Sequence, residues 1–339
     1  MTPAAAGLSM PPEWAPHERT LMAWPCRREL WGGQLGAAKV ESAAVANAIA
    51  AFEPVTMVAG SPADAAEARA ACSAAVDVVE LPIDDSWLRD SGPIFVVDDH
   101  ERPTRRAGVH FGFNAWGEKF TGFDRDAAIG GLLAERFGEV FTAPLILEGG
   151  SIAVDGAGTL LTTEECLLNP NRNPSLGREE IEQHLKDHLG VERVVWLGRG
   201  LVEDRDTDGH VDLIATFTGP GKVLLQTVAP DNPNHDNMVE NRERAIAAGL
   251  EVVEFPPLAY ATVEGEEVVA SYLNLYLGDR FAVVPTAGQP VRDEEALERI
   301  RAAFGDKEVV GVPGVVHAFG GGGPHCITQQ VPALRPDAG

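Results

Sequence analysis

This chain is short of cysteine, of positive charge and of long apolar runs, and each shortage excludes something. Its 339 residues include four cysteines, Cys26, Cys72, Cys166 and Cys326, widely spaced. No pair has the spacing of a zinc finger or a redox motif, so the thiols are expected to be reduced and the chain cytoplasmic. No apolar run approaches the roughly 20 residues that span a bilayer, and the N-terminus lacks the basic stretch and apolar core of a signal peptide. No membrane association is expected. Lys and Arg number 27 against 51 Asp and Glu, a formal net charge of −24. Nucleic acid is therefore a poor partner. Such a surface would attract a cationic small molecule, although solubility is the plainer reading and the charge alone decides little. No repetitive or low-complexity linker divides the chain, so residues 1–339 are expected to form one domain, with the last few residues disordered. Whether copies associate into a homo-oligomer is left open.

Hydrophobic residues make up 45%, enough for a globular core. Short β-prone runs at 20–24, 55–60, 93–97, 151–155, 211–217, 222–227 and 281–285 alternate with helical patterns at 36–52, 124–137, 177–189, 237–249 and 292–304. The helical runs repeat apolar residues at three-and-four spacing and open with acidic turns. This is α/β material, in which a unit of two or three strands and one helix recurs about five times.

The unusual chemistry sits between these elements, where a rigid scaffold commonly carries it. "FGGGGPHCITQQ" (319–330) leads four glycines, the most flexible stretch of the chain, into Cys326. A cysteine is more often an inert core residue, but exposed glycine amides and an adjacent His325 suit a nucleophile. In an extended segment His325 would point to the opposite face from Cys326, so the working histidine is expected elsewhere. "EDRDTDGHVDLIATF" (203–217) supplies His210, placed on one face of a following strand with Asp212, a pairing suited to acid–base work and cation binding. Its "DRDTDG" also matches the first half of a calcium-binding loop, but the twelfth position is Ala215 where a bidentate Glu is needed. No second histidine lies at metal-ligand spacing. "DDSWLRDSGP" (84–93) places Asp85 and Asp90 beside Trp87; read plainly it is a polar turn. "LEGGS" (147–151) puts Glu148 at a strand end. One thiol, one histidine and at least four carboxylates, without a basic cluster, point to a cationic substrate with an electrophilic carbon. A guanidinium fits, because carboxylates can grip its N–H edges, whereas carboxylates are poor neighbours for the oxyanion of a protease.

At these motifs the chain resembles the agmatine deiminase family of the guanidino-group-modifying, or pentein, superfamily. The resemblance covers "MPPEWAPHERTLMAWP" (10–25), "DDSWLRDSGPIFVV" (84–97), "FGFNAWG" (111–117), "LEGGSI" (147–152), "TTEECLLNPNRNP" (162–174), "DTDGHVD" (206–212) and "GGGGPHCITQQ" (320–330), in order along almost the whole chain. It implies an α/β five-bladed propeller of pseudo-fivefold ββαβ-type units with the active site on the central axis. It implies that Cys326 is the nucleophile of an amidino-cysteine intermediate, that His210 is the general acid and then the base for water, and that Glu148 orients His210. Asp90 and Asp212 would hold the guanidinium, Asp206 would contact the distal end, and Asp85, Trp87 and Trp116 would complete the substrate site. The implied reaction is agmatine plus water to N-carbamoylputrescine and ammonia, toward putrescine, without metal or cofactor.

Three alternatives remain at this stage: a deiminase of another guanidine or of peptidyl-arginine, an amidinotransferase in which an amine replaces water, and a non-enzymatic calcium-binding module. Exhaustive chelation separates the last. Full activity should survive it; loss on chelation with recovery on adding calcium would reinstate the calcium reading of residues 204–215.

Overall fold

In the computed structural model, which describes residues 1–335, a single unit recurs five times. Each unit is an antiparallel strand pair whose second strand continues through a helix into a third, parallel strand. A parallel neighbour needs a long crossover, and the helix supplies it. The units run Ile94–Val97, Arg106–Gly112, helix Asp124–Ala134, Glu139–Ile146; then Ile152–Val154, Thr159–Thr163, helix Arg178–Leu189, Arg193–Leu197; then Ala215–Gly219, Lys222–Gln226, helix His235–Ala247, Glu251–Phe255; then Tyr276–Leu277, Phe281–Thr286, helix Pro290–Phe304, Glu308–Pro313. The remaining unit is split across the chain. Thr328–Pro332 pairs antiparallel with His17–Ala23, which runs through helix Leu35–Ala50 to the parallel strand Val55–Ala59. A fourth strand, Val76–Glu80, is added there through helix Pro62–Ala71. A separate hairpin joins Ala259–Val263 to Glu266–Ala270. The expectation about the last few residues falls outside the described part.

Local chemistry explains the helix ends. Pro62 and Pro290 sit at helix starts, where a missing N–H costs nothing. The Ser61 side chain accepts from the Asp64 N–H, and the Glu180 carboxylate accepts from the Gly177 N–H. Gly190 ends its helix in the left-handed conformation, φ 66°. The five helices expected from the periodicity are all present, each with bounds shifted by a few residues.

Strand alternation distributes the core. Among the described residues the buried apolar side chains fall into five clusters, and each lies between two successive sheets. Leu160 and Leu161 are adjacent in one strand but pack into different clusters. So do Leu224 and Leu225, Ala282 and Val283, and Leu21 and Met22. Successive strand side chains point to opposite faces, so both faces of these sheets are covered and strand centres such as Leu160-Leu161 and Leu224-Leu225 are apolar on both. Among the described residues no helix is long and apolar enough to cross a membrane.

One expected strand fails in its first half. Residues 211–213 form a 3-10 turn, and the strand begins only at Ala215. The cause is Asp204, whose carboxylate accepts from the backbone N–H groups of Thr207, Gly209 and His210. It winds the loop tightly and delays the extended conformation.

Candidate active site

The segment that enters the first strand of each unit carries a chemically distinctive side chain. Asp90 precedes Ile94, Glu148 precedes Ile152, His210 and Asp212 precede Ala215, Asn274 precedes Tyr276, and Cys326 precedes Thr328. These six side chains come from five segments at corresponding places in the repeat. Gly150 measures their convergence. A methyl group on its Cα would lie 2.6 Å from His210 Nδ1, 2.8 Å from Asp212 Oδ2 and 2.9 Å from Asp90 Oδ1. Three functional groups therefore surround one methyl-sized volume, and only glycine leaves it open.

Cys326 is 2% exposed. Its Sγ lies 3.3 Å from Asp212 Oδ2 and accepts from Asn274 Nδ2 at 3.1 Å. Burial pushes the thiol well above its usual range, and the charges of Asp212 and Asp90 push it further. Hydrogen bonds from the Gly323 N–H and Asn274 act against this without reversing it. In these surroundings the neutral thiol is favoured over the thiolate. Asp90 is also pushed up, first by burial, then by Asp212 and Glu148, while His210 and Trp116 oppose the shift. Asp212 is held below the usual carboxylate range. Burial alone would raise it, but His325, His210 and the Cys326 thiol outweigh that.

His210 is fully buried, between Asp90 Oδ1 at 3.9 Å from Nδ1 and Glu148 Oε2 at 3.9 Å from Nε2. Both distances exceed a hydrogen bond. Both His210 ring nitrogens, Glu148 Oε2 and Asp212 Oδ1 are buried without a hydrogen-bond partner. Buried polar groups are nearly always paired, so this cluster of free atoms marks a place for a ligand. Glu148 is anchored by its other oxygen, which accepts from Arg172 Nε at 2.7 Å. Arg172 in turn donates to Asp208 at 2.6 Å and to the Thr207 carbonyl at 2.9 Å.

A narrow cleft reaches Cys326 and is walled by Trp87, Asp90, Trp116, Phe120, Asp206 and Gly321. Trp116 lies in a left-handed turn: φ is 53° at Ala115, 55° at Trp116, 89° at Gly117 and 63° at Glu118. Three of these residues are not glycine, a conformation costing roughly 1–2 kcal/mol each. The turn is held by Asn114, whose Oδ1 accepts from the Gly117 N–H and whose Nδ2 donates to the Asn171 carbonyl. Lys119 ties its far end to the Arg205 and Asp206 carbonyls and to Asp208. The strained turn delivers the Trp116 indole N–H to Asp90 Oδ2 at 2.9 Å.

Several expectations need correcting. The glycine stretch is tightly packed rather than loose: a Cβ on Gly320 would strike Trp31, on Gly321 Asp206, on Gly322 Trp87 and Cys326 Sγ, and on Gly323 Asn274. His325 does not face away from Cys326. Residues 324–327 form a turn before the strand, and Asp212 Oδ2 is shared by Cys326 Sγ and His325 Nδ1 at 2.8 Å. His210 and Asp212 converge through the 3-10 turn, not along a strand. Asp85 stands behind the cleft wall, where it accepts from the indoles of Trp31 at 3.2 Å and Trp87 at 3.0 Å. The two indoles stack with centroids 5.5 Å apart. The "DRDTDG" carboxylates of Asp204 and Asp208 are already used by protein donors. Asn274, Arg172 and Glu13 were not anticipated. An asparagine alone inside the apolar run "SYLNLYL" was the available signal, since a buried polar side chain there must have a partner.

Residues 9–332 match the Porphyromonas-type peptidyl-arginine deiminase family. The chain is 43% identical to the agmatine deiminase of Pseudomonas aeruginosa strain LESB58 over 98% of both proteins. It is 41% identical to that of Stutzerimonas stutzeri, over 98% of this chain and 97% of the relative. Among solved structures, agmatine deiminase of Enterococcus faecalis superimposes with a TM-score of 0.90 at 35% identity, covering 98% of this chain and 97% of the other. A cysteine-to-serine variant of C. jejuni agmatine deiminase, with substrate bound, superimposes with a TM-score of 0.88 at 26% identity, covering 97% of each chain.

Gly150→Ala should lower stability by about 1–3 kcal/mol through overpacking, measured by chemical denaturation beside the wild type. Unchanged stability would mean that His210, Asp212 and Asp90 can withdraw, and that their convergence is loose.

Proposed function

The chain belongs to the agmatine deiminase family, within the Porphyromonas-type peptidyl-arginine deiminases, and from that premise we propose that it hydrolyses agmatine to N-carbamoylputrescine and ammonia through a covalent intermediate on Cys326. The observation that carries the reading is a buried thiol among buried acceptor atoms without partners. A guanidinium supplies the missing N–H donors and the missing positive charge in one group. Asp212 Oδ1 and Asp90 grip its edges. Its charge beside Cys326 lowers the thiol, so the nucleophile forms only when substrate is present.

The Cys326 thiol passes its proton to His210, and Sγ attacks the guanidinium carbon, forming an S–C bond and a tetrahedral adduct. The C–N bond breaks, and His210 gives a proton to the departing ammonia. Water then enters, His210 takes its proton, and the oxygen attacks the thiouronium carbon. The C–S bond breaks, returning the thiolate and leaving a ureido product. Glu148, fixed by Arg172, orients His210 throughout. Asp206 lines the same cleft as Trp87, Trp116, Phe120 and Cys326, and it meets the terminal amine. Burial raises its carboxyl, with Asp204 adding and Lys119 opposing. Trp87 and Trp116 flank the alkyl chain, and Asp85 acts by holding Trp87.

We read the five units as blades of one closed propeller, a single domain with the site on its axis. The cyclic order of the five apolar clusters and the pairing of His17–Ala23 with Thr328–Pro332 support this.

Cys326→Ala should abolish turnover with the fold intact by circular dichroism, and denaturing mass spectrometry of the wild type with a slow substrate should find an amidino adduct on Cys326. Appreciable ureido product from the folded variant would end this mechanism. Asp206→Asn removes a charge-assisted contact contributing roughly 1.5–3 kcal/mol, so kcat/KM for agmatine should fall by about one to two orders of magnitude. Simple alkylguanidines should be little affected; an equal fall for both would move Asp206 into the reacting centre. Arginine and peptidyl-arginine in the same assay test the other substrate classes.

A further inference from the structure

His325 has no step in this mechanism, yet its ring is the most tightly specified in the site. Nδ1 lies 2.8 Å from Asp212 Oδ2 and Nε2 lies 2.7 Å from Glu13 Oε1. The side chain is 5% exposed. A neutral imidazole has one N–H and would turn a lone pair toward one of these carboxylates; only the imidazolium donates to both. Its backbone is fixed as well. The His325 N–H donates to the Asn274 carbonyl at 3.2 Å, and its carbonyl accepts from Arg89 Nε at 3.3 Å.

We infer that His325 is a positioning residue, a standing imidazolium clamped between Asp212 and Glu13, which fixes the Asp212 carboxylate and offsets its charge beside Cys326. The part concerning substrate rests on the deiminase reading. Asp212 has one oxygen bound to His325 and near Sγ, and one oxygen free. Without His325, Asp212 Oδ2 loses the donor that sets this orientation, and the sulfur faces an uncompensated anion. The charged groups around the ring are Glu13, Asp212 and Arg89; beyond Glu13 stands His17, and beyond Asp212 stand His210, Asp90 and Cys326. Burial and Arg89 push the imidazole down, but Glu13 and Asp212 outweigh them and raise it. Glu13 is correspondingly held down at about 2, where burial alone would raise it, by His325 and Arg89.

The primary test is NMR of the ligand-free enzyme with 15N-labelled histidine, the signals of His325 being assigned by their loss in His325→Gln. Both ring nitrogens of His325 should remain protonated at pH 8, well above the ordinary value of about 6.5. A ring that is neutral at pH 8 overturns the inference. Glu13→Gln keeps His325 in place but removes one carboxylate, so the ring should titrate nearer the ordinary range. At pH 9 the neutral reagent iodoacetamide should then alkylate Cys326 about tenfold more slowly than in wild type, because a nearby cation has been lost and its removal shifts a thiol by about one unit or more. An unchanged rate in a variant with the wild-type circular dichroism spectrum would mean that His325 acts by shape alone. Neither readout uses a guanidine. Failure to turn over agmatine would defeat the deiminase reading and leave this result standing, and the reverse also holds.

Discussion

Negative charge buried beside a thiol is the constraint on which this structure depends. Asp90, Asp212 and Glu148 are each at most 4% exposed, and Cys326 lies among them. Burying carboxylates is costly unless they are paired. The protein pairs only part of each one. Arg172 takes one oxygen of Glu148, His325 takes one oxygen of Asp212, and Asp90 receives only the neutral N–H groups of Trp116 and Gly150. The unmet remainder favours a cation at this place and disfavours the thiolate in its absence.

Such a centre needs support that cannot move. The glycines do not provide slack; they let the backbone pass close to Trp87, Asn274, Asp206 and Cys326. The left-handed turn at 115–118 holds three residues in a conformation they disfavour, and the bonds of Asn114 and Lys119 keep it. Strain of this kind persists where the surroundings over-determine the backbone. Here it aims one indole N–H at one carboxylate.

Much of this was legible in the sequence. The five helices follow from their periodicity, and the motifs carried Cys326, His210, Glu148, Asp90 and Asp212, which the structure brings together from four units. What was missed depends on partners distant in the chain. Asn274 meets Cys326 across 52 positions and Arg172 meets Glu148 across 24; the apolar run around Asn274 calls for a buried partner without saying which, and Arg172 has no local pattern. His325 was misread because it was taken as part of an extended segment with Cys326, although the preceding Pro324 is a poor member of a paired strand and signals the turn. The 3-10 turn at 211–213 was missed because an apolar run beginning with Val reads as a strand, while the cause of the bend, Asp204, lies seven residues earlier than Val211.

The sheet that joins His17–Ala23 to Thr328–Pro332 has a consequence for how the protein is made. Met22 pairs with Thr328, two residues after Cys326. During synthesis the N-terminal strand must wait, with one edge unpaired, until more than 300 further residues have been added. Units from the middle of the chain can assemble on the ribosome in order, but the first sheet cannot be completed and the thiol cannot meet its carboxylates until residues 326–332 emerge. The waiting edge of His17–Ala23 is thus a point at which crowded, newly made chains can pair with one another instead of with themselves.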